Sequence, residues 1–288
     1  MILRAISLMV LSMALLAGAD AFFKLATNAA PIGQVMVLVS LGGTALFLVL
    51  ARVLGVRIWT RMALHRMIML RNLFEIIGAV GMVIGLRHVS LPVFAAIIQT
   101  GPLVVTLGAA IFLKEQVGWR RWTAVAVGIV GMLMVIRPFG ASFSGWELFA
   151  VLGITALSAR DLVTRLSPPQ IPALAISTWG FAATLLPGLL LWGLTSEASN
   201  YTGAALWPIL GAIVVTTSGY LAITSAMRMA PASIVAPFRY SRLVFTTGLG
   251  MIVFGNRPDA WTLAGAALIL VAGLYTFLRE RRLARAAA

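Results

Sequence analysis

Ten apolar stretches alternate with short polar segments along the chain, at roughly 2–25, 31–54, 68–87, 91–113, 122–136, 146–160, 172–194, 206–227, 231–254 and 260–278. Most run near twenty residues, the length that carries a helix across a hydrocarbon core of about 30 Å. The pattern predicts an all-α polytopic membrane protein with ten transmembrane helices. The fifth and sixth stretches are shorter, about 15 residues, and are expected to lie against other helices rather than in open lipid. Trp59, Trp119, Trp122, Trp146, Trp207 and Trp261 fall near stretch ends, as interfacial anchors do. Arg4, the apolar run that follows and Ala17-Gly18-Ala19-Asp20-Ala21 also fit a cleavable signal peptide. Cleavage would leave an odd number of spans and misplace the basic 52–71 segment, so the first stretch is read as a span.

Charge is sorted between the two sets of loops. The N-terminus and alternate loops carry sixteen bases, among them Arg52, Arg57, Arg61, Arg66, Arg71, Arg120, Arg121, Arg160, Arg165 and Arg228, against Glu115, Asp161 and Glu280 alone. The other set holds Lys24, Arg87, Arg137 and Arg257 against Asp20, Glu147, Glu197 and Asp259, a balance of zero. Basic loops stay on the cytoplasmic side, which predicts a bacterial-type inner-membrane protein with both termini in the cytoplasm.

Composition removes other classes. With 61% hydrophobic and 10% charged residues, the chain has too little polar surface for a soluble globule. A net charge of +14 would suggest nucleic acid in a soluble domain. Here the bases sit in short loops, so no nucleic-acid partner is expected. Cysteine is absent, and His65 and His88, the two histidines, fall at opposite membrane faces. No metal site and no cofactor are expected, and no Gly-rich phosphate loop with a lysine is present to use ATP.

The halves of the chain look related. Leu86-Arg87-His88 lines up with Met227-Arg228-Met229, and the same register pairs Thr106 with Thr247, Glu115 with Asn256, and Ala124 with Gly265. Five spans per half is an odd number, so the second half enters the membrane inverted. Inverted repeats are a design of secondary transporters, with the substrate site near the midplane between them. Gly78, Gly81 and Gly85, Gly128 and Gly131, and Gly265 supply small residues for close helix packing.

The sequence Phe112-Leu113-Lys114-Glu115, followed by Trp122-Thr123-Ala124 and Gly131, resembles a turn and glycine-rich span of the drug/metabolite transporter superfamily, EamA type. The second copy reads Phe254-Gly255-Asn256-Arg257-Pro258, then Gly265-Ala266-Ala267-Leu268-Ile269. Lys114 stands where the family has glycine, and Asn256 where it has glutamate; both departures bear on local capping. The resemblance covers the whole chain and, within the family, is strongest to the bacterial amino-acid exporters of YddG type. It implies two five-helix repeats, residues 1–140 and 141–288, inverted around a central cavity. That cavity would be lined by the first, third, fourth, sixth, eighth and ninth spans.

Polar residues inside the apolar stretches are the candidates for function. Arg239 and Arg242 lie roughly 12 and 16 Å into the ninth span at 1.5 Å per residue, near mid-bilayer. Cations at that depth need a cavity or an anion. Either they meet a substrate carboxylate, or they form a structural ion pair with Glu75 as the available anion. Glu75 is expected to pair with Arg71 one helical turn before it, or to couple transport to protons; Asn72 is a neutral ligand beside it. Asp20 and Lys24 are spaced for a pair at the outer end of the first span. Gln99 lies mid-span beside Pro102, which frees the carbonyl of Ile98, and Pro237 does the same for Ser233. Tyr220, Tyr240, Trp179 and Phe94 are candidates for an aromatic wall.

No cluster of acids, bases or metal ligands suited to catalysis falls in the spans, so an enzyme is not expected. The expected activity is secondary transport of a small-molecule substrate, an amino acid exported with broad specificity. Uptake of a vitamin, nucleoside or other metabolite is the alternative, followed by a non-transport membrane subunit or a membrane-embedded enzyme. Protons are a candidate coupling ion, the lipid bilayer is the surrounding partner, and a monomer or homodimer is expected.

Overall fold

The computed structural model describes residues 2–112, 119–138, 140, 143–168, 170–195, 205–229 and 236–286. Twelve helices are described and no strand. They are α1 (Ile2–Ala29), α2 (Ile32–Val53), α3 (Arg66–His88), α4 (Leu91–Ile98), α5 (Gly101–Phe112), α6 (Trp119–Ile136), α7 (Glu147–Arg165), α8 (Ala173–Ala183), α9 (Leu185–Thr195), α10 (Leu206–Met229), α11 (Ser241–Phe254) and α12 (Ala260–Ala286). Leu113, Lys114 and Glu115 of the first family-like turn, with Glu197 and Ser233, lie outside the described residues.

Ten stretches give twelve helices because two spans break at prolines. Pro102 has no N–H, so the helix stops at Ile98 and restarts at Gly101. Thr100 Oγ1 closes the break by donating to the Ile97 carbonyl at 2.7 Å, and Ser158 Oγ donates to the Gly101 carbonyl at 3.3 Å. The seventh span divides in the same way. Pro187 cannot bond the carbonyl of Ala183, where α8 ends. Thr184 at the junction donates to the Phe181 carbonyl and shares a hydrogen bond with Ser40, each at 2.7 Å. The described part of the ninth span opens as a 3₁₀ turn, Ala236–Tyr240, before α11.

The contacts between halves come in matched sets. α1 packs on α10 as α3 packs on α7, the first span of one half against the third of the other. α2 meets α8 and α9, α4 meets α11, and α6 meets α12, so second, fourth and fifth spans each meet their counterpart. The α6–α12 crossing needs two glycines. A Cβ on Gly131 would stand 2.7 Å from the Gly265 carbonyl oxygen, and one on Gly265 would stand 2.5 Å from that of Gly131.

The outer surface is apolar. Leu41 and Val49 on α2, Leu190 on α9, Val214 on α10 and Ile252 on α11 are exposed, as expected where a bundle faces lipid. Among the described residues six segments are long and apolar enough to cross a membrane, and Trp122–Ile136 and Ala260–Tyr275 are shorter apolar helices. Two sequence expectations change in detail. α6 packs on α12 and α7 on α3, as expected, but the helices run 18 and 19 residues and each also turns an apolar face outward, Val127 and Val130 on one, Leu148 and Leu152 on the other. α7 also continues to Arg165, so Arg160 and Asp161 belong to a helix rather than to a loop.

Candidate functional site

Arg71 and Glu75 lie one turn apart on α3 and therefore share a face. Arg71 Nη2 meets Glu75 Oε2 at 2.5 Å, the local pair expected from the sequence, and Nη1 donates to Asn72 Oδ1 at 2.9 Å. The glycine seam of α3 lets α7 approach until Arg160 reaches the same carboxylate. Its Nη1 donates to both Glu75 oxygens at 3.1 Å, while Nε and Nη2 reach Asp161 Oδ1 at 3.0 and 2.8 Å. Four charges of alternating sign thus run Arg71, Glu75, Arg160, Asp161, with a net charge of zero. Isolated charges in an apolar bundle are costly, and this alternation offsets the cost. Exposure rises along the row, from 3% for the Arg71 side chain to 42% for Asp161.

The row opens on a recess of about 120 Å³ lined by Arg71, Arg160, Asp161, Thr164, Ile176, Ser177 and Tyr220. α8 forms its far wall, and Gly180 makes the close fit there possible: a Cβ would overlap Nη1 of Arg71. Tyr220 of α10 also belongs to an aromatic trio. Its ring centroid is 5.8 Å from that of Phe47 and 6.4 Å from that of Phe181, both contacts edge-on. The recess therefore takes groups from α3, α7, α8 and α10, so the seventh span joins the third, sixth and eighth expected around a cavity.

A second polar set lies toward the C-terminal ends of α1 and α3. Arg242 Nη2 donates to both oxygens of Asp20, at 2.9 and 2.8 Å, and ties α11 to α1. This corrects two expectations: Arg242 is paired with Asp20 rather than Glu75, and Asp20 with Arg242 rather than Lys24. The ammonium of Lys24 instead donates to the carbonyls of Leu86, at 2.7 Å, and Val89. Helix ends leave their last carbonyls without intrahelical donors and carry negative partial charge, which suits a cation. Nearby, the backbone N–H of Leu91 donates to Asn256 Oδ1 at 3.2 Å, so the asparagine of the second family-like turn caps α4.

Among the other candidates, Gln99 is buried and its amide donates to the Tyr240 carbonyl at 3.0 Å and the Arg239 carbonyl at 3.5 Å. Arg239 itself is exposed. Tyr240 is buried, and its hydroxyl lies so close to α12 that a Cβ on Gly273 would overlap it. Phe94 is enclosed among Leu91, Ile97 and Ala150, and Trp179 packs with Ile68, Ile171 and Ala175. Of the expected site residues Tyr220 lines the recess, and Glu75 and Asn72 bond the arginines that line it, whereas Phe94 and Trp179 are not among its lining residues. Arg160, Asp161, Ser177 and the Phe47–Phe181 pair were not singled out from the sequence. One signal was available: Asp161 is the repeat counterpart of Asp20 in the register that relates Glu115 to Asn256.

Comparison with known proteins identifies the scaffold. A profile described as "EamA-like transporter family" matches residues 3–137 and again 144–278. The chain belongs to the EamA-like transporter family. Membership of the drug/metabolite transporter superfamily, expected from the two turns, is thereby shown. The riboflavin transporter of Rhizobium johnstonii is 32% identical over 74% of this chain and 70% of its own. The pseudopaline exporter CntI of Pseudomonas aeruginosa is 29% identical over 88% of each chain. An S-adenosylmethionine uptake transporter of Rickettsia bellii is 26% identical over 74% of this chain and 72% of its own. A crystal structure shares the EamA-like fold with TM-score 0.64 at 17% identity, over 96% of this chain and 98% of that one. These relatives carry chemically different small molecules in both directions.

Proposed function

We propose that this protein is a secondary transporter of the inner membrane that exports amino acids and similar small metabolites by alternating access. The observation that carries this reading is the neutral four-charge row at the meeting of the two halves, opening on a recess with an aromatic wall. A recess presenting both signs of charge suits a molecule that carries both, and the rings suit varied apolar side chains. Discrimination between side chains differing by one methylene is worth only about 1–3 kcal/mol, so specificity should be broad. The excess of basic residues in alternate loops orients both termini to the cytoplasm. Arg239, an exposed residue in the 3₁₀ turn of the ninth span, is the second cation assigned to the substrate carboxylate in this reading.

Counterflow in proteoliposomes tests the proposal. Vesicles loaded with unlabelled leucine should accumulate labelled leucine without nucleotide, and Arg239→Ala should raise the half-saturating concentration. Absence of amino-acid flux in vesicles that carry another metabolite would overturn the amino-acid assignment. Riboflavin is the second reading to include in the panel, favoured by the Phe47–Phe181–Tyr220 trio and by the 32% identity to a riboflavin transporter.

A further inference from the structure

We infer that Arg160 and Asp161 form a reader for the zwitterionic head of an α-amino acid, Arg160 taking the carboxylate and Asp161 the ammonium. The inference rests on the proposed amino-acid transport and assigns the substrate head to particular atoms.

The geometry supports each half of the contact. A guanidinium has five N–H donors in a planar fork. The contacts of Arg160 to Glu75 involve only Nη1, and those to Asp161 involve Nε and Nη2. Each Nη nitrogen carries two hydrogens, so the end of the fork can meet a carboxylate while its flank stays on Asp161. Both Arg160 contacts to Asp161 end on Oδ1, leaving Oδ2 to accept from an ammonium. Asp161 is also the most exposed member of the row, at 42%, and both residues line the recess.

Neighbouring groups hold this reader in place. Glu75 grips Arg160 from behind, and Arg71 holds Glu75 while itself almost fully buried. The outer pair is therefore oriented before a ligand arrives, which reduces the ordering cost of binding. Thr164 and Ser177 place hydroxyl-bearing residues on the lining, and Tyr220 connects it to the aromatic trio. A recess of about 120 Å³ holds a head group of a few heavy atoms rather than a whole cofactor-sized molecule. The side chain of the ligand would then lie toward Phe47 and Phe181.

Binding of three probes to the purified full chain in detergent, by calorimetry, tests the assignment. Leucine carries both charges, 4-methylpentanoate lacks the ammonium, and leucinamide lacks the carboxylate. Wild type should bind leucine at least about tenfold more tightly than either analogue, the worth of one charge-assisted contact. Asp161→Asn keeps the shape and an acceptor but loses the charge. It should weaken leucine about tenfold and leave 4-methylpentanoate unchanged. Arg160→Lys keeps the charge that Glu75 and Asp161 need for folding but loses the fork, and should weaken leucine and 4-methylpentanoate together.

Leucine binding unchanged in Asp161→Asn, or an equal loss for both probes, would overturn the head-group assignment while leaving amino-acid transport in place. If wild type neither binds nor moves any amino acid but carries riboflavin, the proposed function and this inference fall together. Unfolding temperatures and gel-filtration profiles matched to wild type show that each variant is folded. Should Arg160→Lys fail that control, Asp161→Asn with the paired probes decides the question alone.

Discussion

The side-chain amide of Gln99 donates to the backbone carbonyl of Tyr240 at 3.0 Å, and the two residues, 141 positions apart, occupy the same place in the two repeats. Each lies at an interruption of its span, Gln99 where α4 gives way to α5 and Tyr240 where the 3₁₀ turn gives way to α11. A side chain at one interruption thus satisfies the backbone at the other, at the point where the repeats cross. Irregular backbone at membrane depth is tolerated where protein groups satisfy it in this way.

Removing that amide leaves a buried carbonyl short of a donor. Gln99→Leu is expected to destabilise the protein by about 1–3 kcal/mol, the cost of an unsatisfied buried polar group. Gln99→Glu should be at least as damaging, because a carboxylate cannot donate. Unfolding in mild detergent, followed by intrinsic tryptophan fluorescence, measures both. A neutral Gln99→Leu would show that the contact between the breaks contributes nothing.

The Asp20–Arg242 pair ties α1 to α11 across the two halves with both side chains largely buried. Asp20→Asn and Arg242→Gln are each expected to cost more than the double variant, since each single change strands a charge. Breaking one partner of a buried pair typically costs about 3–5 kcal/mol. A double-mutant cycle in unfolding free energy checks this, and simple additivity would contradict a direct coupling.

Topology is testable because the chain contains no cysteine. Ala286→Cys, at the end of α12, should resist an impermeant maleimide applied from the periplasm. Arg257→Cys, exposed in the turn between α11 and α12, should react. The reverse pattern would invert the orientation derived from the loop charges.

Asp259 caps α12, with Oδ1 accepting from the Thr262 N–H at 2.9 Å, and it pairs with Arg137 at 2.7 Å. The hydrogen bonds from Thr262, with Arg137 beside them, hold its carboxyl below the usual value of 3.8. A depressed carboxylate pKa stabilises the folded state above that usual value, and the benefit is lost as pH falls through the folded value. Asp259→Ala is expected to cost about 0.5–2 kcal/mol at neutral pH, the worth of an N-cap. The cost should shrink in acid, where wild type and variant converge. A pH-independent difference in unfolding temperature would count against the carboxylate.

The sequence by itself determined what depends on local spacing and on solvent preference. Span lengths, the carbonyl freed by Pro102 and the Arg71–Glu75 pair follow from residues within a few turns of one another, and the paired halves from a register of 141 positions along the chain. The break in the seventh span was legible too, in Pro187 four residues after Ala183, although the apolar run conceals it. Contacts between helices were a different matter. Lys24 stands four residues from Asp20, yet the free carbonyls ending α3 take the lysine, and Asp20 is left to Arg242 from the other half. Glu75 acquires Arg160 from α7 only because the two helices pack closely along the glycine seam. A charge buried in an apolar medium goes to whichever partner geometry brings within reach. That reach is fixed by helix packing, which no one-dimensional spacing records, so the recess and the link from Glu75 to Arg160 that completes its row of charges were decided by the tertiary structure alone.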